Sequence, residues 1–281
     1  MADGLIAPLE HPEVGFFAQL LYPLRSAESM AVVGFMACVL WGFTILVPEY
    51  CLGVWGDANT LGTPSMGMLV ILISVIPPSL LFPLFLAYLL QYLGRVLVSS
   101  AQGDPVPPRT PDRNFDGLTA GLSPWLVWLV LGLSISVVPA ACTLTRSDLT
   151  PAEWLLWGLV SIGLGIPYAA IALMLSFLHD HPLAATPWGV VGAAVRLGVS
   201  FLPTLFRVAV PLALAGGFAA LVFALREPAF WGYILAALLL WVVLLWAAMV
   251  IVRILGLHYF RHHESLRWHP RQSRWGVAWR L

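Results

Sequence analysis

Long apolar stretches separated by short polar segments dominate the chain from end to end. A helix that crosses the bilayer needs about 20 apolar residues, and backbone groups in lipid must find their hydrogen bonds within the spanning structure. The pattern therefore predicts an all-α fold, a single integral membrane domain of six transmembrane helices covering residues 1–281. The spans are predicted at 30–47, 67–98, 124–144, 154–178, 208–225 and 230–252, followed by a cytoplasmic tail at 253–281.

The second predicted span is too long for a single crossing and contains Pro77, Pro78 and Pro83. Each proline removes a backbone donor and clashes with the preceding turn of a helix. One interpretation is a helix that bends at these prolines and continues to about Arg95, because prolines are common in membrane helices. The other is a broken helix that lines a substrate site, as in some transporters.

Two shorter apolar segments, Pro12–Leu21 and Pro187–Leu202, are too short or too interrupted to span the bilayer. Their length and composition are typical of helices that lie in the headgroup region. The alternative is a connecting helix packed on the bundle. We therefore predict one or two short interfacial helices beside the six spans.

Composition supports a membrane protein and excludes some partners. The chain of 281 residues is 60% hydrophobic and 10% charged, with a mean hydropathy of +0.88, whereas soluble domains carry about 25% charged residues. A net charge of zero argues against a nucleic-acid partner, which requires a basic surface. Residues 1–24 lack the basic start and cleavage site of a signal peptide, so the first membrane helix is expected in the mature protein.

All fourteen formally basic side chains are arginines, and they are distributed unevenly between the predicted loops. Twelve fall on one side of the predicted membrane: Arg25, Arg95, Arg109, Arg113, Arg196, Arg207, Arg253, Arg261, Arg267, Arg271, Arg274 and Arg280. Only Arg146 and Arg226 fall on the other. Basic residues in short loops stay in the cytoplasm, so both termini are predicted to be cytoplasmic, in the inner membrane of a prokaryote. The arginine-rich tail is predicted to bind anionic lipid headgroups.

Candidate chemistry is sparse. Glu49, Arg95, Arg207 and Arg253 are all expected near helix ends, where long side chains reach the headgroups. His258 and His262 are four residues apart, so on one helix they share a face and could hold a metal; the alternative is polar groups at headgroup level. We predict no metal there, no catalytic, cofactor-binding or metal-binding residues, no cofactor and no enzyme activity.

Smaller features leave alternatives open. Cys51 and Cys142 both fall near the predicted outer face, so a disulfide between them is conceivable. The proline-rich, charged loop Ser99–Gly121 is either a docking strip for a partner or a solvated connector. Gly163–Gly165 and Gly216–Gly217 are predicted to allow close helix packing. A group of tryptophans near helix ends predicts an interfacial belt: Trp125, Trp128, Trp154, Trp157, Trp188 and Trp231.

Three stretches of the chain resemble motifs of one large family of polytopic membrane proteins of bacteria and archaea, known only as a domain of unknown function. Tyr22-Pro23-Leu24-Arg25 is similar to the family's entry into its first span. The segment 88–95 followed by Gly103-Asp104-Pro105 is similar to its helix end and charged loop. The segment 253–268, with Gly256 and Tyr259, is similar to its closing stretch. The resemblance implies a polytopic membrane fold and no catalytic residues.

The expected function is that of a non-enzymatic membrane protein acting as a scaffold, accessory or regulatory subunit of a membrane assembly. Polar cytoplasmic strips suited to contact, and the absence of recognisable chemistry in the spans, favour this interpretation. We expect protein partners or self-association. The alternative is a transporter or channel component with a proline-broken second helix.

Overall fold

A computed structural model describes residues 15–60, 64–109, 124–132, 150, 152–153, 161–179, 182–225 and 230–266. Every regular element in these residues is helical, which confirms the all-α class. The α-helices are α1 Phe16–Leu20, α2 Ala27–Trp41, α3 Val47–Thr60, α4 Pro64–Ala101, α5 Ile166–Leu178, α6 Pro187–Leu197, α7 Leu202–Ala224 and α8 Phe230–Leu266. Short 3-10 turns are Tyr22–Arg25, Pro182–Ala185 and Gly198–Phe201, and π-helical stretches are Gly42–Leu46, Trp128–Gly132 and Ser161–Gly165.

Four stretches of the described residues are long and apolar enough to cross a membrane: Ala27–Asp57, Leu81–Ala101, Pro187–Ala224 and Phe230–His263. A shorter apolar helix covers Gly163–Leu178. The third of the four contains Gly198 with φ 51°, which interrupts the helix between α6 and α7. The 23 residues of α7 rise about 35 Å at 1.5 Å each, so α7 alone is long enough to cross.

The first predicted span is longer than expected and begins earlier. Helix α2 begins at Ala27 because the side chain of Ser26 accepts the backbone N–H of Ser29, a typical N-cap. The helix then passes through the π-helical stretch Gly42–Leu46 into α3. Glu49 therefore lies inside a helix that continues to Thr60, and the expectation that it marks a helix end is wrong.

Helix α4 is helical through all three prolines of the second predicted span, so in the described residues that span is not broken. It continues to Ala101, six residues beyond the predicted end at about Arg95. A Schellman motif ends it: Asp104 N–H donates to Ser99 O and Gly103 N–H to Ser100 O, both at 3.1 Å. Gly103 has φ 82°, a conformation that favours glycine. The bend at the prolines stays a prediction.

The predicted third and fourth spans lie only partly within the described residues, at 124–132 and 161–178. The fifth begins at Leu202 rather than 208, because Gly198 ends the preceding segment and Pro203 stands in the first turn of α7. The described part of the first interfacial segment forms α1, and Pro23 lies in the 3-10 turn that follows. Helix α6 buries Val190, Ala193 and Leu197.

Helix α8 is the centre of the bundle, since it contacts α1, α2, α4, α5, α6 and α7. It has 37 residues and is therefore about 55 Å long, well beyond the hydrocarbon thickness of about 30 Å. The helix continues beyond the predicted end of the sixth span at 252, and residues 253–266, the first part of the predicted tail, are helical. Every residue from Val252 to Tyr259 is buried, so this part of α8 is surrounded by protein. The rest of the predicted tail, 267–281, lies outside the described residues.

Candidate functional site

The most unusual group in the described residues is the side chain of Arg253, which is 1% exposed. The sequence predicted an arginine at a helix end with its charge in the headgroups, and this is wrong. Helix α8 continues to Leu266, and the arginine lies between α8, α4 and the 3-10 turn that holds Tyr22. A buried cation is costly unless other groups compensate for its lost hydration, so its neighbours decide whether it is tolerated.

Two neighbours compensate for the charge. The guanidinium carbon lies 4.4 Å from the centroid of the Tyr22 ring, within the range of a cation–π interaction. Nη1 donates to Ser100 Oγ at 3.1 Å, and Ser100 Oγ donates to Val96 O at 2.5 Å. Among the described residues no partner accepts from Nε or Nη2, and no carboxylate forms an ion pair with the guanidinium. We call Tyr22, Ser100, Arg253 and Gly256 the arginine junction.

Tyr22 contributes its ring rather than its hydroxyl. The side chain is 1% exposed, and within the described residues its hydroxyl has no hydrogen-bond partner. Burial raises the pKa of the Tyr22 phenol, so the group stays neutral and adds no negative charge beside Arg253. The backbone of this region is fixed to α8 by the indole of Trp246, whose Nε1 donates to Leu20 O at 2.9 Å.

Gly256 allows α8 to approach α4 closely. A Cβ atom at this position would lie 2.6 Å from Leu97 O and 3.0 Å from Ala101 N, both backbone atoms of α4. Gly94 plays the same part against α5, where a Cβ would lie 2.6 Å from the Phe177 ring. The glycines singled out from sequence behave differently: a Cβ at Gly163, Gly216 or Gly217 would meet no described residue within 4 Å. Among the described residues these three therefore make no close helix contact.

A second polar contact lies one helix away from the junction. Ser29 Oγ and the Tyr92 hydroxyl are 2.7 Å apart, and both residues are fully buried. This bond joins α2 to α4. Gln91, beside Tyr92, is also buried, and its Oε1 has no hydrogen-bond partner among the described residues. This part of the bundle therefore contains polar contacts inside an apolar core.

The predicted tryptophan belt is only partly present. Trp188 and Trp231 are 86% and 77% exposed, as an interfacial belt requires. Trp125 and Trp128 are packed inside, and their indoles donate to Leu90 O and Ala169 O at 2.6 and 2.8 Å. Further indole bonds between segments are Trp41 to Ile234 O and Trp241 to Thr44 Oγ1. Trp154 and Trp157 lie outside the described residues.

The histidine pair is also more buried than expected. His258 is 5% exposed, and its Nδ1 lies 2.8 Å from Thr204 Oγ1, so this side chain is enclosed by protein rather than solvated. The rings of His258 and His262 stack with their centroids 4.3 Å apart. The described residues contain no group of three or more histidine, cysteine, aspartate or glutamate side chains that could hold a metal. The prediction of an empty histidine pair stays a prediction.

The remaining predicted features are placed as follows. Cys51 has a free thiol, whereas Cys142 lies outside the described residues. The described part of the loop Ser99–Gly121 ends at Arg109, with Asp104 and Val106 exposed and Pro107 buried. Sequence reasoning missed Ser29, Ser100 and Tyr92, because a serine or tyrosine in an apolar run carries no signal of its partner.

The three stretches that carry the family resemblance meet in and beside the arginine junction: Tyr22 from the first, Gly103 from the second, and Arg253 with Gly256 from the third. A Cβ at Gly103 would lie 2.9 Å from the Phe260 ring, so the end of α4 also abuts α8. Comparison with known protein families, with curated proteins and with solved structures finds no match for this chain. The arrangement defines a helical protein able to span a membrane, with a fixed positive charge enclosed by three segments.

Proposed function

We propose that this chain is a multi-pass protein of the inner membrane of a prokaryote and acts, without enzyme activity, as a scaffold, accessory or regulatory subunit of a membrane assembly. The observation that carries the proposal is the packed arginine junction. Its charge is engaged by Tyr22 and Ser100 rather than facing a water-filled path. A transporter usually presents its intramembrane ionisable groups to substrate or ion.

We propose six crossings with both termini in the cytoplasm. What supports this orientation is that described residues of four predicted cytoplasmic segments lie together, and four arginines are among them. Arg253 contacts Ser100 at the end of α4, and Arg196 Nη1 donates to Leu266 O at 3.2 Å. Arg207 and Arg261 line one cavity together with Gln19 of α1.

Labelling of single introduced cysteines in intact cells tests the orientation. The three cysteines of the chain are first replaced, so that only the introduced thiol reacts. An impermeant maleimide is expected to label positions Asn59, Asp148 and Glu227, and to miss Gly103, Ala184 and Ser273. Labelling at Ser273 in intact cells would overturn the orientation, and permeabilised cells provide the control for accessibility of each inner position.

The scaffold role predicts a partner that contacts the polar strip after α4, where Asp104, Val106 and Arg109 are exposed. The experiment is purification of the full chain in mild detergent after brief cross-linking in native membranes. We expect one membrane protein to be recovered in fixed stoichiometry, and Arg109→Glu to reduce this recovery. Arg25→Glu, which changes the charge of another exposed arginine, is the matched control.

The alternative, a transporter or channel component, makes the opposite forecast. It would be supported by solute or ion flux in proteoliposomes containing the purified chain alone, with no protein recovered by cross-linking. Such a result would overturn the scaffold proposal. The continuity of α4 through Pro77, Pro78 and Pro83 favours the scaffold, because the broken-helix form of a transporter requires unwound backbone at the site.

A further inference from the structure

A small cavity opens between α1, α7 and α8, on a different face of α8 from the arginine junction. Its volume is about 100 Å³, which is room for several water molecules or one small anion. Of the ten described residues that line it, seven have polar or charged side chains, and none of these ten is a carboxylate. The six that matter here are Gln19, Ser200, Thr204, Arg207, His258 and Arg261.

The charge in this cavity is positive and uncompensated. Arg207 of α7 and Arg261 of α8 both line it, and neither guanidinium forms a hydrogen bond or an ion pair with any described residue. Two arginines facing one cavity repel each other unless an anion lies between them. Their donor groups are suited to a phosphate, which accepts paired N–H bonds from a guanidinium.

His258 supplies a buried donor position in the same wall. One ring nitrogen, Nδ1, is engaged by Thr204 Oγ1 at 2.8 Å. The other, Nε2, has no hydrogen-bond partner among the described residues, although the residue is 5% exposed. If Thr204 donates to Nδ1, the neutral ring carries its hydrogen on Nε2, and an oxyanion would satisfy that buried group.

The surroundings of the cavity favour a lipid as the source of the anion. Exposed apolar side chains lie in the segments that line it: Phe17 on α1 and Leu21 directly after it are 78% and 55% exposed, and Leu202 and Phe206 on α7 are 49% and 74% exposed. Exposed apolar residues continue along α7 at Val210 and Leu214. A phosphate in the cavity would thus leave two acyl chains beside an apolar helix surface.

We propose that this cavity binds a phosphate oxyanion through Arg207, Arg261 and His258, and that the phosphate belongs to the headgroup of a membrane lipid. The site is separate from the predicted lipid contact of the tail beyond Leu266, because its lining comes from α1, α7, α8 and the turn that holds Ser200. It also does not depend on the scaffold role, which concerns a protein partner.

The test uses the full chain, purified and delipidated in a maltoside detergent that contains no phosphorus. Native mass spectrometry then counts bound lipid after addition of phosphatidylglycerol, or of a diacylglycerol with the same acyl chains. We expect one phosphatidylglycerol to be retained per chain and the diacylglycerol to be lost. Each of Arg207→Gln and Arg261→Gln should weaken retention by about tenfold, which corresponds to the loss of one charged hydrogen bond.

Four controls accompany the experiment. Arg25→Gln, at an exposed arginine outside the cavity, should leave retention unchanged, and so should Arg271→Gln with Arg274→Gln in the tail. Thermal unfolding of each variant checks that it remains folded. Inorganic phosphate is added alone in a parallel arm. If free phosphate stabilises the chain as much as phosphatidylglycerol does, the ligand of this site is a soluble anion rather than a lipid. Equal lipid retention by wild type and the Arg207→Gln, Arg261→Gln double variant would overturn the site.

Discussion

The two halves of α8 belong to one continuous helix but lie in different surroundings. In the first half, Phe230, Trp231, Leu235 and Leu239 are exposed, and a small apolar cluster forms with α7 and the end of α2. In the second half, every residue from Val252 to Tyr259 is buried. Apolar side chains in the first half are therefore exposed on the described part of the protein, whereas neighbouring helices bury those of the second half. A helix that is enclosed on all sides can hold Arg253 and His258 because protein groups solvate them.

Leucine-to-alanine changes should show the largest difference between the halves. Leu255 is 1% exposed and Leu235 is 65% exposed. Leu255→Ala should destabilise the protein by about 4 kcal/mol, because it opens a cavity in a packed core. Leu235→Ala should change stability by less than about 0.5 kcal/mol. Thermal unfolding in detergent measures both, and similar melting temperatures would show that the second half is not more tightly packed.

The close approach of α8 to α4 predicts the next largest effect. Gly256→Ala should cost about 3 kcal/mol, at the upper end for overpacking, because the new Cβ meets the backbone of Leu97 and Ala101. Gly216→Ala is the matched control, since its Cβ would meet nothing within 4 Å. Chemical denaturation of both variants tests the difference. A Gly256→Ala protein as stable as wild type would mean that the helices are further apart.

The cation–π contact predicts an energetic coupling between Tyr22 and Arg253. Tyr22→Leu should cost about 2 kcal/mol more in the wild-type background than in Arg253→Met, because only the wild type needs a ring beside the cation. Tyr22→Phe keeps the ring and should be nearly neutral, since the hydroxyl has no partner among the described residues. The double-mutant cycle is measured by unfolding in detergent, and additive effects of the two changes would contradict the contact.

The smallest expected difference in stability is between substitutions of two tryptophans on α8. Trp246 in the second half donates to Leu20 O at 2.9 Å, and Trp231 in the first half is 77% exposed. Trp246→Phe should cost about 1 kcal/mol for the lost hydrogen bond, whereas Trp231→Phe should stay within about 0.5 kcal/mol. Melting temperatures of the pair provide the measurement. An equal loss of stability in both variants would indicate that the interfacial location of an indole, not its hydrogen bond, determines its contribution to stability.

The sequence was a good guide where one helix meets lipid and a poor guide where helices meet each other. Apolar runs predict spanning helices because lipid contact depends on composition alone. Because Arg253 and His258 follow a long apolar run, they look like the polar end of a span. Their partners Tyr22, Ser100 and Thr204 lie far away in the chain. Gly256 and Gly216 look alike in sequence, and only the position of α4 distinguishes them. The cavity lined by Arg207 and Arg261 is formed by three segments, so no local sequence pattern predicts it.

The position of Arg253 in the chain has a consequence for biosynthesis. An arginine at the centre of an isolated membrane helix costs about 2.5–3.5 kcal/mol to insert. Ser100 precedes Arg253 by 153 residues, and at about 5–20 residues per second the ribosome needs roughly ten to thirty seconds for that distance. Tyr22 is made earlier still. The groups that contact the guanidinium are therefore synthesised before α8, so they are available when the helix that carries Arg253 folds.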